Sequence, residues 1–178
     1  FVGMEPAVKP AAEFTKTGVV GVLATPATFQ GALYASVVER FATGVTVLQH
    51  TCPGLVGQIK KRDLVSRGAR SILEDALHPM LEKGIDTIVL GCTHYPFVIP
   101  LIEEICGDQV RVIDPAPAVA RQTQRVLVSA DLHSEMVHCP GVDFFTSGLP
   151  DQFQSISKLL IGGTVNVTPV LWTGLELS

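Results

Sequence analysis

The chain has 178 residues, enough for one ordinary domain, or for one complete domain with part of another. Hydrophobic residues make up 47% and charged residues 17%, which excludes a charge-rich unfolded tail. A net charge of -4 leaves no basic footprint and argues against nucleic acid or an anionic membrane surface as partner.

The mean hydropathy of +0.37 suits a parallel sheet buried on both faces, whose strands read as apolar runs. No uninterrupted run of about 18 or more apolar residues is present for a membrane helix. The four cysteines, Cys52, Cys92, Cys106 and Cys139, form no CxxC pair and no zinc-like spacing. They read as free thiols in the cytoplasm. The chain opens on Phe1, and Val2-Gly3-Met4 reads as the tail of a strand, so the expectation is a piece of a longer protein.

In chain order, residues 7–16 suit a short helix and Gly18 to Leu23 a buried strand. A helix to about Phe41 follows, with Leu33, Tyr34, Val37, Val38 and Phe41 at helical spacing and Thr25 and Thr28 as hydroxyl caps. Val45 to Leu48 is a second strand, and Cys52-Pro53-Gly54 opens a loop or short helix. Leu64 to Lys83 is a long amphipathic helix stopped by Lys83-Gly84. Ile85 to Leu90 is the next strand; a helix spans about Pro96 to Cys106, and Val110 to Ile113 is a strand. After Asp114-Pro115 a helix runs to about Ser129. Val142 to Phe145 reads as a strand, Pro150 to Leu160 as a helix, Gly162-Gly163 as a turn and Thr164 to Trp172 as a last strand. The alternation predicts an α/β fold: an open, mainly parallel sheet with helices on both faces, and a second domain that is incomplete.

In such a sheet the loops at the carboxyl ends of strands line the ligand crevice. Two qualify: Ala24 to Thr28, and Gly91-Cys92-Thr93-His94. Gly91 permits a sharp turn or close approach. Cys92 offers a thiol, and the helix after it is expected to aim its positive end there and favour the thiolate. Thr93 offers a hydroxyl and a backbone N–H, and His94 exchanges protons near neutrality. A lone Cys at a strand end is ordinarily a small buried hydrophobe, so position alone does not make Cys92 catalytic. Thr25 and Thr28 serve as caps, ligands or both. His50, His78, His133 and His138 read as surface or satisfied structural residues, Cys52 as structural, and Cys106 and Cys139 receive no role.

The run LGCTHYP, Leu90 to Pro96, resembles the second cysteine motif of the aspartate/glutamate racemase family, in its glutamate racemase branch. GMEPAVKPA (Gly3 to Ala11), GVLATPATF (Gly21 to Phe29), TCPGLV (Thr51 to Val56) and FFTSG (Phe144 to Gly148) are similar to other segments of that family in the same order. The resemblance covers most of residues 2–160. It implies two similar α/β domains with the substrate between them. Residues 1–115 then correspond to one complete domain and 116–178 to the returning part of the other. It also implies L-to-D racemisation of glutamate without cofactor or metal, supplying D-glutamate for peptidoglycan. Two cysteines flank the α-carbon: one thiolate abstracts the proton and one thiol returns a proton to the opposite face. By the same resemblance Cys92 and His94 are catalytic, and Thr93, His94, Thr25 and Thr28 bind the amino-acid substrate.

Three departures qualify this. The family's first cysteine, in a CNTA-like segment upstream of the MEPA run, has no counterpart, so the chain alone is expected to be inactive. Lys60 stands where the family carries a carboxylate, with Asp63 the nearest acid. Asp114-Pro115 replaces Asp-Ser. Alternatives are a racemase of another small acid (aspartate or hydantoin type), a non-catalytic module binding a small acid on the same fold, and a Cys-nucleophile hydrolase. Apolar surface left uncovered by an incomplete domain predicts a homodimer.

Overall fold

The computed structural model describes residues 1–4, 6–61, 64–134, 141–163 and 165–177. Glu5, Asp63, His138, Cys139 and Thr164 lie outside the described residues. The contacts divide the chain into two units, Phe1–His133 and Ser134–Ser178.

The first unit is built on four parallel strands: β1 (Val19–Ala24), β2 (Thr46–His50), β3 (Thr87–Gly91) and β4 (Arg111–Ile113), in the order β2-β1-β3-β4. Alternation along β1 sends side chains to opposite faces of the sheet. Val20, Val22 and Ala24 pack with Val89 beneath α1 (Val8–Phe14) and α3 (Ala32–Phe41), whose Val8, Ala11, Tyr34 and Val37 complete that core. On the other face, a Cβ added to Gly21 would meet Met80 of α5 (Arg67–Glu82), together with Ile85 and Ile88. α5 in turn packs against α4 (Leu55–Lys60) and α6 (Ile99–Cys106). Helices therefore cover both faces, as expected. α7 (Ala116–Ser129) carries no buried residue and leaves Val126, Leu127 and Val128 exposed.

Several boundaries differ from the sequence expectation. Residues 1–4 carry no strand; Val2-Gly3-Met4 has no neighbouring ladder to join. The helix expected to run to Phe41 is two: α2 (Pro26–Phe29) and α3, parted at Gln30-Gly31, where a Gly31 Cβ would crowd the Thr28 carbonyl at 3.2 Å. α5 starts at Arg67, because the Ser66 side chain accepts from the Ala69 N–H at 3.0 Å and caps it. Its stop is as read, with Gly84 at φ +79°.

The second unit holds β5 (Phe144–Thr146) parallel to β6 (Val167–Pro169), and α8 (Pro150–Leu160). It also holds an antiparallel hairpin of β7 (Trp172–Thr173) and β8 (Glu176–Leu177). The single last strand expected to end at Trp172 is broken after Pro169, which has no N–H to continue a ladder. Gly174, at φ +66°, lies in the turn of the hairpin.

Candidate active site

The strand order fixes where a ligand fits. From β1 the chain moves outward to β2, then crosses back to β3 and β4 on the other side, so the direction reverses between β1 and β3. Loops leaving the carboxyl ends of those two strands diverge and open a crevice. β1 and β3 end level with one another, Ala24 paired with Gly91. Gly91 is required there: a Cβ on it would lie 2.8 Å from the Ala24 Cβ.

The cleft at this point has a volume of about 370 Å³, within the range of small-molecule sites. Thr25 and Thr28 line it from the β1 side, Cys92 and Thr93 from the β3 side, and Asp114 and Pro115 from the end of β4. Thr25 and Thr28 do not cap α2 through their side chains. Their hydroxyls lie 3.1 Å apart, and the Thr28 hydroxyl donates to the Gly91 carbonyl at 3.4 Å. The two loops are thus tied together at the rim. Cys92 is half-buried and Thr93 exposed.

Of the residues singled out from the sequence, His94 alone does not line this cleft. It is half-buried, and the Thr93 hydroxyl lies 3.5 Å from its Nδ1. Burial, with the Lys60 ammonium adding to it, holds His94 below its ordinary pKa. The α-helix expected from about Pro96 is preceded by a 3-10 turn over Tyr95–Val98, and α6 starts only at Ile99. Within that turn the Tyr95 N–H donates to the Cys92 carbonyl at 3.1 Å.

Cys52 is a core residue, in line with the structural reading from sequence. Its thiol is pushed up to about 12 by burial and by the neighbouring Cys92. Its backbone is left-handed, φ +44°, and its N–H donates to His50 Nδ1 at 3.1 Å. The buried Tyr95 hydroxyl donates to the Thr51 carbonyl at 3.1 Å, fastening the Cys92 turn to the segment after β2. Asp114, a half-buried carboxylate on the cleft wall, was not singled out as a site residue from sequence. It follows the end of a parallel strand, which is the signal that marks it. His78 and His133 are exposed, as read, and Cys106 is half-buried with its thiol pushed up to about 11. Among the described residues no group of three or more His, Cys, Asp or Glu side chains gathers to hold a metal, and no helix is long and apolar enough to cross a membrane.

Glutamate racemase of Pseudomonas putida is 48% identical over 159 residues, covering 89% of this chain and 60% of the relative. The structure of glutamate racemase isoform RacE1 from Bacillus anthracis superposes with a TM-score of 0.80 at 29% identity, over 92% of this chain and 61% of that one. The Escherichia coli glutamate racemase, solved with L-glutamate and the activator UDP-MurNAc-ala, gives 0.78 at 25% identity, over 97% and 65%. The chain spans about 60% of the length of the curated relatives it matches. Residues 1–123 match the family model for Asp/Glu/Hydantoin racemase, and the chain belongs to that family.

Proposed function

We propose that this chain carries one acid–base half of a cofactor-independent glutamate racemase, with Cys92 as the group that exchanges the substrate's α-proton. The α-proton of an amino acid is very weakly acidic, and its removal needs fixed dipoles and a partly dried site at the developing carbanion. Thr25, Thr28 and Thr93 line the same cleft as Cys92, and their hydroxyls supply such dipoles. They bind the substrate carboxylates, and His94, next to Thr93, assists the neighbouring thiol. The observation that carries this reading is the position of Cys92: half-buried, on the loop of β3, in a cleft at the reversal of strand order.

Racemisation needs a second group on the opposite face of the α-carbon, because one base returning its own proton restores the starting isomer. Cys92 is the one thiol among the described residues lining the cleft; Cys52 is sealed in the core. In this reading the 178-residue chain alone exchanges the α-proton but does not racemise. In this reading residues 1–115 form one racemase domain and 116–178 return to the other. The whole enzyme is a cytoplasmic homodimer making D-glutamate for peptidoglycan. A non-catalytic small-acid-binding role is the second reading, favoured by Lys60, whose charge opposes a proton on His94.

Alkylation of Cys92 tests the site. Glutamate at saturating concentration is expected to protect Cys92 from iodoacetamide, read by peptide mass spectrometry. Exposed side-chain amines serve as the unprotected control with an amine reagent. Cys92 alkylating at the same rate with and without glutamate, aspartate or hydantoin would remove the racemase reading.

A further inference from the structure

We infer that Asp114 reads the α-ammonium group of the ligand and restricts the cleft to amino acids over acids of the same shape that lack the amine. This rests on the amino-acid reading of the cleft given above and names a specificity residue within it.

Among the described residues lining the cleft, Asp114 is the one charged side chain; the rest of the polar lining is threonine hydroxyls and the Cys92 thiol. Asp114 Oδ1 accepts from the Ala116 N–H at 2.9 Å, closing the turn into α7. No ion pair or second hydrogen bond engages Asp114 among the described residues. Its other oxygen is thus available in a concave, half-buried site, where a cationic partner is worth more than in open water. The protein's own nearby cations are placed elsewhere. Arg111 lies over the Phe14 ring at 4.1 Å, Lys9 sits 4.0 Å from Glu13, and Arg121 stands farther along α7; none of them lines this cleft. The balancing charge is left for the ligand to bring.

The sheet places that carboxylate against the chemistry. β3 and β4 pair with Val89 opposite Ile113, so Asp114 leaves the strand beside the one that delivers Cys92. A ligand whose α-carbon faces the thiol can turn its ammonium to Asp114 and its carboxylates to the hydroxyls of Thr25, Thr28 and Thr93. An ammonium held protonated next to the α-carbon also opposes the negative charge that develops there on deprotonation.

Calorimetric titration of the full 178-residue chain with L-glutamate and with glutarate, the same diacid without the amine, tests the inference. The wild type is expected to bind glutamate about tenfold or more tighter than glutarate. Asp114→Asn keeps an oxygen for the Ala116 N–H and removes the charge; it is expected to bring the two affinities together, with glutarate binding unchanged or tighter. Asp114→Ser, which keeps a shorter cap, is expected to do the same. A preference that survives in both variants overturns the role of Asp114 and leaves the racemase reading standing. Equal loss of both ligands shows a merely structural Asp114 and likewise overturns it. If the wild type binds neither compound, the amino-acid reading and this inference fall together.

Discussion

At the scale of single residues, the cleft depends on contacts with no slack. Gly91 and Ala24 sit side by side at the ends of β3 and β1, and a Gly91→Ala methyl would meet the Ala24 Cβ at 2.8 Å. Gly21→Ala would meet Met80 Sδ at 2.9 Å, but that atom is on a flexible side chain that can swing aside. Overpacking costs about 1–3 kcal/mol where the neighbour cannot move. Gly91→Ala is therefore expected to lie in that range and Gly21→Ala below it, compared by chemical denaturation; the reverse order would contradict the packing described. His94 supplies a second prediction. Its pKa is lowered, so the folded state disfavours the imidazolium. That stability is present above the ordinary histidine value of about 6.5 and is lost as pH falls below it, because the unfolded chain then takes up the proton first. In an NMR titration His94 is expected to titrate below the ordinary histidine value of about 6.5, and Lys60→Glu is expected to move it up. A His94 midpoint indifferent to that exchange would show that Lys60 does not act on it.

At the scale of elements, the alternation of apolar runs with helical stretches made the first unit legible: each of its four strands and its long helices occurs where the pattern places it. The Gly91-Cys92-Thr93 loop was legible as well, since position after an apolar strand is a property of sequence. What was hidden was local. A single amphipathic stretch conceals the break at Gln30-Gly31, because spacing of apolar residues does not register a two-residue interruption. Pro96 and Pro100 fit helix starts, and the chain uses them as two successive starts, a 3-10 turn and then α6. Asp114 was missed because it stands in no conspicuous run, although it follows a strand end. Asp86, on the turn into β3, shows how one side chain joins elements far apart in sequence. It accepts from the Thr15 hydroxyl at 2.6 Å, the Thr17 N–H at 3.0 Å, the Lys16 N–H and the Thr87 hydroxyl. Partial burial works to raise its pKa, and these bonds together outweigh it and hold the carboxyl below the usual range. The contribution is present above the unfolded aspartate value of about 3.9 and is lost as pH falls through the lower folded value. Asp86→Asn is expected to cost roughly 1–2 kcal/mol near neutrality, reduced from the buried case by its exposure. The difference from wild type should shrink in acid; a difference constant down to low pH would contradict the ionic origin.

At the scale of the whole chain, apolar side chains remain in the open within each unit. Val126, Leu127, Val128 and Leu132 stand out on and just past α7, and Leu171, Trp172 and Leu175 at the hairpin of the second unit. Surface of this kind is usually covered by association. Light scattering is expected to give a mass near twice the 19.0 kDa of one chain, and a monodisperse species of 19.0 kDa would remove the homodimer. The proposed chemistry is tested most directly by dissolving L-glutamate in heavy water with the 178-residue chain and following the α-proton by NMR. A single thiol acting from one face is expected to replace that proton by deuterium slowly but above the buffer rate, with the L configuration retained. The exchange should vanish in Cys92→Ala. Exchange equally fast in Cys92→Ala, or none above buffer in the wild type, would contradict the account.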